Sequence, residues 1–209
     1  MKKSYVKLIL LFASTVTMAG CGTMEAVGGI TNSALEVVGI KKPDIPEIPK
    51  IPDAQKPART IRIDVHASNN LNLDANGRPL ALVARIYKLK QNAAFEQASY
   101  DSFLNPQKEK ELLGADLLEV KEITLVPGQL YHADEKVSQE AYFIGIVGLF
   151  RAPAAQRWRT SFPAPEAEKS GITVAMHACA LNVGTGQVSA ISTPNTQSMS
   201  ALRCPEKAQ

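Results

Sequence analysis

Three cysteines, three histidines and one asparagine-rich stretch are the groups in this chain whose types and spacing bear on chemistry. His66, His132 and His177 fall in three separate strand-like segments, and no two stand at the helical or short-loop spacing that metal ligands need. They read as surface or half-buried strand residues, so no metal site is expected. The chain has no Gly-x-Ser-x-Gly elbow, no His-Glu-x-x-His pair and no glycine loop that would cradle a phosphate. Gly184-Thr185-Gly186 reads as a hairpin turn. The acidic pairs Glu109 with Glu111 and Asp134 with Glu135 lack an apolar frame to raise a carboxyl pKa, so they read as solvated surface. Trp158, between Arg157 and Arg159, could present a cation-π platform, but a single tryptophan in a small domain is usually core. Neither a catalytic centre nor a cofactor site follows from these residues.

The cysteines carry more. Lys2, Lys3 and Lys7 form a positive start, Leu8 to Ala13 a short apolar run, and Ala19 and Gly20 a small-residue site, which is the pattern of a targeting peptide over residues 1–20. The apolar run is too short to span a bilayer. Met18-Ala19-Gly20-Cys21 resembles the lipobox of bacterial lipoproteins, with Met18 where Leu is usual. The resemblance implies cleavage before Cys21 and acylation of that residue, the alternative being an ordinary secretory signal with a free or paired thiol. Acyl chains stabilise anchoring by about 0.8 kcal/mol per buried methylene, so two or three would hold the protein on a membrane. Gly22 follows, not the Asp associated with inner-membrane retention, so the outer membrane is expected. Cys179 and Cys204 are then the remaining cysteines, and in an oxidising compartment they make one natural pair. Closing 25 residues would contribute roughly 3 kcal/mol in the loop-entropy model. Two buried thiols are the competing reading.

Processing also changes the charge balance. Three of the 23 Lys and Arg residues precede Cys21, leaving 20 against 20 Asp and Glu, so the mature chain is formally neutral. Nothing in that balance points to nucleic acid as a partner.

The asparagine-rich stretch lies between two strands. Ile61, Ile63, Val65 and Ala67 alternate with Arg62, Asp64 and His66, the period of a strand with one buried face. Leu80, Leu82, Ala84, Ile86 and Lys88 share a face of a second run, Pro79 to Leu89. Between them run Ser68, Asn69, Asn70, Leu71, Asn72, Leu73, Asp74, Ala75, Asn76, Gly77 and Arg78, rich in residues that bond their own backbone, with Asn76-Gly77 marking a tight turn. Hairpin loops usually close in about two to five residues, so this longer connection reads as a binding feature.

The surrounding chain must position that loop. Val27, Ile30, Ala34, Leu35 and Val38 approach helical spacing, although Gly28-Gly29 opposes a helix. Pro43, Pro46, Pro49 and Pro52 recur at every third residue with Pro57 beyond, the pattern of a polyproline II rod. At about 3.1 Å per residue, Pro43 to Pro57 would reach on the order of 45 Å, so residues 21–57 read as lipid anchor and tether. About 150 residues remain over 58–209, enough for one domain. Ala93 to Leu104 reads as a short helix. Asn105 suits the cap of a second, with Pro106 first, Leu112 and Leu113 buried and Gly114 at its stop, so a helical insertion is expected at about 93–114. Leu117 to Val126 and Gln129 to Ala133 read as strands about Pro127-Gly128. Ala141 to Arg151, apolar on both faces, reads as a central strand, and Gly145 and Gly148 inside it suggest close approach of a neighbouring element or a bulge. Ile172 to Leu181 and Gln187 to Ile191 read as a terminal hairpin. Many short strands with few helices predict an all-β chain, a two-sheet antiparallel sandwich with a small helical insertion.

One family matches these residues. The order strand, Leu71-Asn72-x-Asp74-x-x-Gly77-Arg78-Pro79 loop, strand ending Arg85-Ile86-Tyr87-x-Leu89-Lys90, then Phe95, resembles the TssJ lipoproteins of the bacterial type VI secretion system. The similarity runs from the amino-terminal signal through Ile61 to about Trp158. The resemblance implies a transthyretin-like sandwich without enzymatic activity, hung from the outer membrane into the periplasm. It implies a partner as well, the periplasmic C-terminal domain of TssM, with TssL in the same complex. The loop of Asn69, Asn70, Leu71, Asn72, Leu73, Asp74, Asn76, Gly77 and Arg78 stands where the family docks TssM. Leu71 and Leu73 are expected as apolar anchors and the polar residues as the rim, the alternative being that both leucines fold inward to pin the loop. A rival class is a periplasmic lipoprotein binding a glycan or small ligand, which would need an aromatic-lined face. With one Trp, five Tyr and six Phe, several of them on the apolar strand, that surplus is missing.

Overall fold

The computed structural model describes residues 51–190 and 203–205. The expected signal peptide, Cys21, the glycine-interrupted segment and most of the expected proline tether lie outside the described residues.

Eight strands and four short helices make up the body: β1 (Arg59–Ala67), β2 (Leu82–Leu89), α1 (Ala93–Gln97), α2 (Tyr100–Leu104), α3 (Pro106–Leu113), β3 (Leu117–Leu125), β4 (Leu130–Val137), β5 (Phe143–Gly148), β6 (Arg159–Pro163), α4 (Ala164–Ser170), β7 (Ile172–Met176) and β8 (Leu181–Thr185). They form two four-stranded sheets, β4-β1-β7-β8 and β3-β2-β5-β6. This is an all-β sandwich with a helical insertion. β1 and β7 run parallel, while every other pairing is antiparallel.

Period-two burial explains the layering. Ile61, Ile63 and Val65 of β1 are fully buried, while Arg62 and His66 are exposed. β2 is buried on both faces, with Leu82, Ala84 and Ile86 on one and Tyr87 and Leu89 on the other. The second face lies under the helices. Tyr87, Phe95 and Phe103 pack with ring centroids 5.4 to 5.8 Å apart, and Trp158 joins them 5.4 Å from Phe103. Tilted and edge-on pairs of this kind contribute about 0.5–1.5 kcal/mol each beyond burial. Trp158 is core, and the Arg159 guanidinium lies 4.4 Å from its ring centre.

β5 is central, between β2 and β6. A Cβ on Gly145 would stand 2.7 Å from the Phe95 ring, so the glycine is what admits the insertion onto the sheet. Asn105 caps α3 as expected, accepting from the Gln107 and Lys108 N–H groups, and Gly114 stops it at φ 48°. Charges close the sandwich edge where the outer strands of the two sheets stack. Lys88 bonds Glu119 at 2.8 Å and the Lys136 carbonyl at 2.7 Å, and Lys121 bonds Glu135 at 2.6 Å.

Several expectations change. β1 and β2 are not a hairpin, because they belong to different sheets and the Asn-rich loop crosses between them. The helix expected over 93–104 breaks at Ala98 and Ser99 into α1 and α2. Leu112 is exposed and only Leu113 is buried, since α3 lies on the surface of the insertion. The terminal hairpin turns at His177 to Ala180, with Gly184 inside β8. β6 and α4 had no legible sequence signal. Residues 51–57 do not continue the expected polyproline rod: Asp53–Gln55 form a 3₁₀ turn, the Tyr142 hydroxyl donates to Asp53, and Gln139 Nε2 donates to the Pro57 carbonyl at 3.0 Å.

Candidate functional site

The segments that follow β1, β3, β5 and β7 all emerge at one pole of the sandwich. The loop between β1 and β2 dominates it, and its backbone is tied on every side. Asn72 N–H donates to the His177 carbonyl at 3.0 Å and Leu73 N–H to Ala178 at 3.2 Å, so the loop extends alongside the β7–β8 turn. Leu80 N–H donates to the Leu71 carbonyl at 3.0 Å and closes the loop on itself.

Asn72 is the pivot. It adopts a left-handed φ of 46°, which asparagine tolerates better than most residues. Its Nδ2 donates to the Ala81 carbonyl at 2.8 Å, and its Oδ1 accepts the Arg151 N–H at 2.8 Å. One side chain thus joins both ends of the loop to the β5–β6 connection. A buried amide with donor and acceptor both satisfied is a strong local constraint.

Asp74 builds the tip. Its Oδ1 accepts the N–H groups of Asn76 at 2.7 Å and Arg78 at 2.9 Å, and its Oδ2 accepts Arg78 Nε at 2.8 Å. The Arg78 backbone N–H chiefly, then the Arg78 side chain and the Asn76 N–H, hold the Asp74 carboxyl down to about 2 against opposing desolvation. Gly77 turns the chain at φ 76°.

The structure therefore divides the candidate residues. Leu71 is fully buried and Asn72 nearly so, which removes both from the exposed set: Leu71 is a core residue and Asn72 a brace. This corrects the expectation of Leu71 as an apolar anchor, because the left-handed kink at Asn72 turns Leu71 inward. Leu73 is half-buried, as is Asp74. Asn69, Asn70, Asn76, Gly77 and Arg78 are exposed, with Asn69 Oδ1 against the Gly128 turn. The exposed apolar groups at this pole are instead Leu80, Val126 and Leu130, at 38%, 52% and 57% exposure. Pro79 could have flagged Leu80 in the sequence, because a proline there argues against counting Leu80 as strand. Val126 and Leu130 flank the Pro127-Gly128 turn, and only the fold brings that turn beside the loop.

Cys179 and Cys204 form a disulfide, with Cα atoms 5.7 Å apart, at the β7–β8 turn that supports the loop. His66 and His132 are exposed, and His132 Nδ1 lies 2.6 Å from Asp64 Oδ1, while His177 Nε2 lies 2.6 Å from Asn182 Oδ1. Among the described residues no group of three His, Cys, Asp or Glu could hold a metal ion.

Comparison with known proteins fits this architecture. Residues 59–179 match the T6SS-SciN family, described as type VI secretion lipoprotein, VasD, EvfM, TssJ. No curated protein matches the chain. Among solved structures, the T6SS lipoprotein TssJ1 from Pseudomonas aeruginosa is 27% identical with TM-score 0.55, the match covering 63% of this chain and 98% of that one. A chain in a structure described as a type VI membrane complex is 27% identical with TM-score 0.55, over 60% of this chain and 98% of that one. A chain in a structure described as the TssM C-terminal domain from EAEC is 26% identical with TM-score 0.51, over 60% of this chain and 98% of that one. The family is a structural lipoprotein of a secretion machine rather than an enzyme. With more than half of its residues matched by the family model, the chain belongs to the TssJ family of type VI secretion lipoproteins.

Proposed function

We propose that the protein is an outer-membrane lipoprotein of the type VI membrane complex that holds the periplasmic C-terminal domain of TssM, with TssL in the same assembly. Acyl chains on Cys21 anchor it, and the body faces the periplasm. The β1–β2 loop is the docking element, through Asn76, Gly77, Arg78 and Leu80 at its tip, with Asn69 and Asn70 at its base and Val126 and Leu130 beside it.

The observation that carries this reading is an exposed tip braced by hydrogen bonds on a family member, set at the pole opposite residues 51–57. Residues 51–57 meet the body at Tyr142 and Gln139, beside the start of β1, while the loop leaves the other end of that strand. Nine strand residues at about 3.3 Å each separate the two poles by roughly 30 Å. The loop therefore stands at the end of the body remote from residues 51–57. The bracing also matters energetically, since a loop held in its bound shape loses less entropy on association. The relative found in the structure described as the TssM C-terminal domain supports the choice of partner.

Capture of the purified TssM periplasmic domain tests it. Arg78→Glu with Leu80→Asp, both at exposed positions, is expected to weaken capture at least about tenfold with an unchanged thermal melt. Capture at the native level by that variant would rule out the tip. For the anchor, Cys21→Ser is expected to move the protein from the outer-membrane fraction to the soluble periplasm, and a variant that stays with the membrane would overturn acylation there.

A further inference from the structure

The pole that carries the loop also carries an uneven charge. Three exposed arginines, Arg78, Arg151 and Arg203, stand around it. Arg78 stands on the tip. The Arg151 N–H donates to Asn72, and the Ala154 N–H donates to the Cys179 carbonyl at 2.8 Å, which joins the β5–β6 connection to the β7–β8 turn. The disulfide from Cys179 to Cys204 sets exposed Arg203 beside this group. In the described segments that build the pole, residues 68–81, 126–130, 149–158, 177–181 and 203–205, the one carboxylate is Asp74. Arg78 already neutralises it. The whole chain has 23 basic against 20 acidic residues, so the imbalance is a local segregation and not a basic protein's general surface.

The bond to Cys204 is informative for a second reason. The family match ends at Cys179, so Arg203 belongs to residues beyond it and reaches the pole because the disulfide holds it there. The same turn accepts the backbone N–H groups of Asn72 and Leu73.

We infer that Arg78, Arg151 and Arg203 form a cationic rim around the docking loop that receives an acidic surface of the TssM periplasmic domain, with the Cys179–Cys204 bond as its positioning element. This rests on the docking reading above and adds the partner's chemistry. Rim charges steer encounter and fix register, and their attraction is screened within about 10 Å at 0.1 M salt. Association is therefore salt-sensitive, and the cystine contributes to it through position.

The test is binding of the purified TssM periplasmic domain to the full-length protein in detergent, with salt varied from about 50 to 500 mM. Native protein is expected to lose at least about tenfold in affinity over that range. Arg151→Glu with Arg203→Glu, both exposed, is expected to weaken low-salt binding about tenfold and to flatten the salt dependence, with the thermal melt retained. Arg151→Gln with Arg203→Gln gives the same flattening if the reversal perturbs folding. Cys179→Ser with Cys204→Ser is expected to reproduce the salt slope of Arg203→Ala. Native binding that ignores salt, or native-like binding by the arginine variants, overturns the rim and leaves the docking loop standing. A cysteine variant with the native slope overturns the positioning role. Native protein that fails to bind TssM at any salt overturns the docking reading itself, and the rim with it.

Discussion

Arg78 and Asp74 are joined twice, by the Arg78 N–H at 2.9 Å to Oδ1 and by Arg78 Nε at 2.8 Å to Oδ2, so one carboxylate sets both the turn and the direction of the exposed arginine. The tip is thereby shaped before any partner arrives.

That pair makes the loop acid-sensitive in a defined window. A carboxylate held below its ordinary 3.8, here at about 2, stabilises the turn in full above the ordinary value and loses that support as pH falls through about 2. Following the Asp74 carboxyl carbon by NMR should place its midpoint near about 2, with Asn76 and Arg78 amide shifts moving together with it. Asp74→Asn keeps the sandwich folded and should broaden those two amides at neutral pH. A midpoint near the ordinary value would show the turn to be open in solution.

Leu71 is expected to behave as core. Leu71→Ala should cost about 2–5 kcal/mol in a urea titration, because the residue is fully buried in the core cluster. Leu73→Ala, half-buried on the same loop, should cost clearly less. Equal costs would mean that the kink at Asn72 does not separate the two leucines.

Gly145 and Phe95 are expected to couple. Gly145→Ala forces a Cβ to within 2.7 Å of the Phe95 ring and should destabilise by about 1–3 kcal/mol. Phe95→Leu combined with Gly145→Ala should recover part of that loss, because the smaller side chain leaves room for the methyl. Additive losses in the double-mutant cycle would place the strain elsewhere.

The disulfide closes 25 residues, so reduction should lower stability by about 3 kcal/mol in the loop-entropy model. Urea unfolding with and without reductant measures it, and Cys179→Ser with Cys204→Ser should reproduce the reduced value. An unchanged midpoint would assign the bond to positioning alone.

How much was legible beforehand follows from the range of each interaction. The alternation of Ile61, Ile63 and Val65, the Asn105 cap, the Gly114 stop and the crowding at Gly145 are local or composition-level signals, and the structure repeats them. The family motif across Leu71 to Pro79 was legible for the same reason, since it is a contiguous string. Strand partners were not. β1 pairs with β4 and β7 rather than with β2, a choice made by burial of both sheets together and not by any turn residue. The fate of Leu71 also lay beyond the sequence. Its inward turn depends on Asn72 bonding Ala81 and Arg151, the second of them 79 positions away. The amino-acid string by itself determined most of the strands, the α3 cap and stop, the anchor motif and the loop, but not β6 or α4. The tertiary structure decided which loop residues face solvent and which arginines gather around them, because those depend on contacts between residues distant in the chain.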